Sequence, residues 1–196
     1  MQFAGYKLMI SQGQEDSQGY VALAHGTCYT VMLSNNHSTR CDVTLRIDGK
    51  EVGTWRLETY RSIAIERPVN DTGRFTFYQL GTEEARQAGL EAHGDLGLVT
   101  ATFTPEKWLQ PTHISPYANQ SVEDWASRPT RSAGHTAAGG TGLSGQSAQR
   151  FTTVDPLDYD YENQATLHIR LVAHESGPRP LQGIGRLSTP VPPPLP

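Results

Sequence analysis

The chain has 196 residues, of which 36% are hydrophobic, and a formal net charge of −4. That length fits one domain of moderate size with extensions, and the low apolar share fits strands with a single buried face better than a large α/β core. The weak charge, with scattered arginines and scarce lysine, excludes the basic stripe of a dedicated nucleic-acid binder, and no apolar run approaches the length of a membrane span.

The first six residues carry neither a basic n-region nor an apolar h-region, so a soluble protein made in a cytoplasm without a secretory signal is expected. Residues 6–10 read as a first strand, 11–18 as a polar loop and 20–24 as a second strand. Residues 27–34 are rich in β-branched and aromatic side chains and predict a stronger strand, closed by the turn cluster Asn35, Asn36, His37, Ser38.

From Cys41 to Ile47 apolar and polar residues alternate, which writes one buried and one wet face. Asp48-Gly49 follows, and that pair supplies the positive φ of a two-residue hairpin turn. The chain resumes through Val52, Trp55 and Leu57, with Gly53 as a bulge candidate. A third run, 62–66, completes an expected β-meander.

Residues 74–78 predict a strand with alternating aromatics. Residues 82–89 predict one short helix, with Thr82 as N-cap, Glu83 and Glu84 opposing the dipole in the first turn, and Gly89 as the stop. Residues 97–103 read as a central strand. From about Lys107 to Arg150 the composition turns to Pro, Gly, Ser, Ala and Thr, and neither strand nor helix period survives. Strands are expected again at 150–154 and 166–172. The resulting expectation is a single β-sandwich domain over 1–172, with an irregular excursion at 107–150 inside it and an extended, polyproline-like tail over 173–196.

Few residues offer chemistry. Gly139, Gly140, Gly142, Leu143 and their neighbours resemble a phosphate-cradling loop but lack its Gly-Lys-Ser/Thr ending, and read as a flexible contact loop. Asp155, Asp158, Asp160 and Glu162 offer the hard oxygens that Ca²⁺ takes, without EF-hand spacing. Tyr159 and Tyr161 alternate with the acids, so a strand with aromatics on one face and carboxylates on the other explains the segment equally well. Cys28 and Cys41 read as buried free thiols, with a cross-strand disulfide as the alternative. Seven histidines are dispersed without metal spacing. Ser144 lacks a nucleophile elbow, and Glu58 with Glu66 is an acid pair that any β-domain offers. Trp55, Trp108 and Trp125 suit a sugar-binding face, although a core position suits Trp55 better. The reading is of a protein that is not an enzyme and needs no cofactor.

The segments 41–56, 65–78 and 139–147, with the later Asp158-Tyr159-Asp160-Tyr161, resemble a β-sandwich family encoded by tailed phages, large viruses and some bacteria. The hairpin around Asp48-Gly49 is similar to those of jelly-roll-like virion proteins. The resemblance implies a jelly-roll-like antiparallel β-sandwich that acts as a capsid decoration, or cement, protein on the virion surface. It implies a homotrimer whose partner is the major capsid protein, with no nucleic acid or membrane contact. The arms at 107–150 and 173–196 would then make the contacts, through Gly139, Gly140, Gly142, Leu143, Pro192, Pro193, Pro194 and Leu195. The alternative is a carbohydrate- or Ca²⁺-binding β-sandwich, such as a receptor-binding knob or a lectin-like module.

Overall fold

The computed structural model describes residues 1–107 and 137–174. In chain order the strands are β1 (Gln2–Phe3), β2 (Tyr6–Ile10), β3 (Tyr20–Leu23), β4 (Thr27–Cys28), β5 (Val31–Asn35), β6 (Cys41–Ile47), β7 (Lys50–Leu57), β8 (Ser62–Ile65), β9 (Arg74–Gln79), β10 (Leu98–Pro105), β11 (Ala137–Ser144) and β12 (Ala165–Ala173). One α-helix, α1 (Glu83–Gln87), and a 3-10 turn at Tyr161–Asn163 complete the described elements.

The strands form an all-β sandwich. The small sheet runs β1-β2-β5-β8, and the large one β4-β9-β11-β12-β10-β6-β7, with β3 added beside β12. Alternation explains the layers: Val43, Leu45, Val99, Ala101, Phe103, Leu167 and Ile169 are buried, while the residues between them face outward. Tyr6 of the small sheet stacks on Phe103 of the large one, with ring centroids 4.5 Å apart.

The 41–57 hairpin forms as its pattern predicts. Asp48 and Gly49 take φ of 52° and 75°, the positive values of a two-residue turn. The register slips opposite Leu45/Arg46, which puts the bulge at Val52-Gly53. Thr82 caps α1 by accepting the Ala85 N–H at 3.2 Å, and Gly89 follows with φ 68°.

Four expectations are corrected. The run at 62–66 does not continue the meander: β8 crosses to the small sheet and pairs with β5. The expected strand 27–34 is two strands, since the buried Tyr29-Thr30 step carries the chain from β4 in the large sheet to β5 in the small one. Residues 137–144, inside the expected irregular excursion, form β11, which pairs with β9 and then β12. Residues 150–154 and 155–160 form no regular strand; their polar partners are side chains and strand ends rather than a neighbouring ladder.

Candidate functional site

Two polar constructions stand out from the apolar interior. The first is centred on Asp48, which is buried at 8% exposure. The turn that holds it points the carboxylate at the seam where β10 begins and β11 passes. Oδ1 accepts the Gly97 N–H at 2.6 Å and Oδ2 accepts the Thr141 N–H at 2.7 Å. The fully buried Tyr29 hydroxyl lies 2.6 Å from Thr141 Oγ1. Burial raises the Asp48 pKa above its ordinary value, outweighing the two N–H groups that favour the carboxylate. Burial likewise raises the Tyr29 pKa.

Glycine is required at this seam. A Cβ on Gly97, where φ is 74°, would lie 2.4 Å from the Leu171 carbonyl oxygen and 2.8 Å from that of Gly139. On Gly139 it would lie 2.2 Å from the Phe77 ring and 2.8 Å from the Tyr78 carbonyl oxygen. Beside the seam, a cleft of about 140 Å³ opens between the hairpin turn and the end of α1, lined by Val52, Pro68, Leu90, His93 and Leu143 among others.

The second construction is a clasp on the outer face of the large sheet. Asp42 and Arg56 sit opposite each other on β6 and β7 and pair through two bonds, of 2.8 and 3.0 Å. The Tyr159 hydroxyl donates to Asp42 Oδ2 at 2.7 Å, and Arg56 Nη2 donates to the Asp155 carbonyl at 2.7 Å. Beside them Arg40 pairs with Glu106 through two bonds, of 2.9 and 2.5 Å. Burial acts to raise the Asp42 pKa, but the bonds from Arg56 and Tyr159 outweigh it and hold the carboxyl below its ordinary value. The bond from Arg40 does the same for Glu106.

The clasp fastens one end of a strap, residues 145–160. Farther back along it, Phe151 packs edge-on to Trp55 with centroids 5.7 Å apart, and the Arg67 guanidinium lies 4.3 Å over its ring. Arg67 itself is buried and bonds to the carbonyls of Pro68, Asp71 and Gln149. These carbonyls share its charge in place of a counter-ion.

The expected site residues fall differently. Asp160 accepts from the N–H groups of Glu162 and Asn163 and from the Asn163 side chain, so it caps its own turn. Asp155 and Asp158 give backbone carbonyls to Arg56 and Lys107. Among the described residues no three His, Cys, Asp or Glu side chains come together as a metal site. Gly139, Gly140 and Gly142 are buried inside β11 rather than displayed on a loop, because neighbouring side chains occupy the space a Cβ would need; Leu143 is 40% exposed. Pro192, Pro193, Pro194, Leu195, Trp108 and Trp125 lie outside the described residues.

Trp55 is in the core at 8% exposure, and its Nε1 has no partner among the described residues. Both cysteines are free thiols. Burial pushes the Cys41 pKa up to about 12, while a hydrogen bond with Thr76 lowers that of Cys28. The Ser144 hydroxyl pairs with Thr76 at 2.7 Å. Glu66 pairs with Arg74 and accepts the Ser147 hydroxyl, a structural role.

Sequence reading missed Asp48 as a seam residue, Arg67 and Gln149. The Asp-Gly signal located the turn but not the carboxylate's partners, which are backbone groups far along the chain. No helix among the described residues is long and apolar enough to cross a membrane. No protein-family model matches the chain, and no curated protein or solved structure is significantly similar to it.

Proposed function

We propose that the protein is a structural component of a virus particle, a decoration or cement protein that bridges subunits of the major capsid protein. One geometric relationship carries this reading. Ala137, the first residue of β11, is the register partner of Ala173, the last residue of β12. The stretch before Ala137 and the stretch after Ala173 therefore join the sandwich at one end of the large sheet. The other end of the internal stretch is attached at Lys107, past the opposite end of β10 and next to the clasp, where its N–H donates to the Asp158 carbonyl at 2.6 Å.

Residues 175–196 hold seven of the chain's 13 prolines, and residues 108–136 hold three more. A proline-rich segment of this length can spread its contact with a partner over a wide area. In this reading the sandwich is a rigid base. Residues 108–136 and 175–196, with the exposed Leu143, reach neighbouring shell subunits. Each bound copy stabilises the shell by mass action. Two of the residues named for the carbohydrate- or Ca²⁺-binding alternative have structural roles: Trp55 lies in the core and Asp160 caps its own turn.

Deleting 175–196 tests the arm directly. The shortened protein is expected to keep the thermal midpoint of the sandwich and to lose occupancy on capsids. Full occupancy without the arm would overturn the reading.

A further inference from the structure

Asp155-Pro156 is the one Asp-Pro step in the sequence, and it lies on the strap where the clasp grips it. The dipeptide has a chemistry of its own. The Asp carboxylate can reach its own carbonyl carbon by closing a five-membered ring, an intramolecular attack. The proline nitrogen, part of a tertiary amide, takes a proton and leaves more readily than an ordinary peptide nitrogen.

The structure adds to this at three places. The Asp155 carbonyl oxygen, on which an attack would place negative charge, accepts from Arg56 Nη2 at 2.7 Å. Arg56 is held there, because Asp42 takes its Nε and Nη2 at 2.8 and 3.0 Å and only 13% of its side chain is exposed. Among the described residues nothing bonds the Asp155 carboxylate, so it is free to turn onto its own carbonyl. The bond also faces an open cleft of about 540 Å³, lined by Arg40, Glu106, Thr153 and Asp158 among others, which admits water. The chain is anchored on both sides of it. Arg67 holds the Gln149 carbonyl at 2.7 and 3.0 Å, and the Asp160 N–H donates to the Pro105 carbonyl at 2.9 Å.

We propose that the protein cuts itself between Asp155 and Pro156. An Asp155 carboxylate oxygen bonds to the Asp155 carbonyl carbon, and Arg56 stabilises the oxyanion that forms. The C–N bond then breaks, and its electron pair stays on the Pro156 nitrogen, which takes a proton from solvent. Water opens the cyclic anhydride left on Asp155 to the side-chain and α-carboxyl groups, so one water is consumed in all. Residues 156–196 stay attached after the cut, because β12 remains paired in the large sheet.

The test is intact mass spectrometry of the full chain kept in mildly acidic buffer, native and in guanidinium at the same pH. The denatured chain keeps the chemistry of the dipeptide but loses Arg56. The native chain is expected to yield 1–155 and 156–196 at roughly 10- to 100-fold the denatured rate. That is less than the roughly 100- to 1,000-fold given by one oxyanion donor in a closed site, because this cleft is open to water. Arg56→Gln, folded by circular dichroism, is expected to fall to the denatured rate, and Asp155→Ala to leave the chain whole. A native rate no higher than the denatured one overturns the proposal. So does a folded Arg56→Gln that cuts at the wild-type rate, or an Asp155→Ala that is still cut at this bond. Should Arg56→Gln fail to fold, the native and denatured rates of the wild type decide alone.

Discussion

Asp48 accepts the backbone N–H of Thr141 at 2.7 Å, across 93 residues of sequence. The first of the pair sits in a hairpin turn and the second in a glycine-rich strand. The bond fixes the place where β11 passes the start of β10, because the other carboxylate oxygen holds Gly97. Through β11 the seam reaches Ala137, where the internal stretch returns to the sandwich. A buried carboxylate therefore sets the direction in which that stretch meets the fold.

Replacing Asp48 tests the seam. Asp48→Ala leaves two N–H groups unpaired in a buried place and is expected to cost about 2–6 kcal/mol, at roughly 1–3 kcal/mol for each orphaned group. Asp48→Asn keeps one acceptor and turns a donor toward the other N–H, so it should cost about half as much. Denaturant unfolding of the three proteins gives both values.

Gly97→Ala combines left-handed backbone with contact against two carbonyl oxygens. The expected loss is about 2–5 kcal/mol, adding roughly 1–2 for the left-handed conformation to 1–3 for overpacking. Gly26→Ala is the control: its φ is also positive at 75°, but nothing lies within 4 Å of the added Cβ. It should lose only the conformational part, seen as a smaller drop in thermal midpoint.

The clasp predicts an acid limb. Asp42 and Glu106 have folded pKa values below their ordinary 3.8 and 4.5, so their contribution is present above those ordinary values and is lost as pH falls through the lowered ones. Asp48 works in the opposite sense: its raised pKa favours the protonated form in the fold, so the cost of its ionisation is relieved as pH falls. Tyr159→Phe removes one bond that lowers the Asp42 pKa. It should move the acid limb to higher pH and cost about 1 kcal/mol at neutral pH. A pH series of unfolding curves, with the Asp42 carboxyl followed by NMR, checks both.

The elements with their own local signal were legible in sequence. Alternation through Val43, Leu45 and Ile47 located β6, Asp48-Gly49 its turn, and Thr82 the helix start. β11 was not legible, because glycines carry no side-chain period; it is a strand since β9 and β12 close on both its sides and leave no room for a Cβ at Gly139. The strap misled in the other direction. Its alternating Asp and Tyr imitate a strand, but Tyr159 turns to Asp42, and Asp155 gives only a carbonyl to Arg56. Nor does a run such as Ser62–Ile65 say which sheet it joins, a choice made by pairing with β5 rather than by its own residues.

We propose that this chain belongs to a virus particle shell. The most direct measurement is the copy number of the protein in particles purified from cells that make it, by quantitative mass spectrometry against the shell's main protein. A fixed, integral ratio that survives high-salt washing and falls when 175–196 is deleted is the predicted result. Absence of the protein from intact particles, with all of it free in the lysate, would contradict the account.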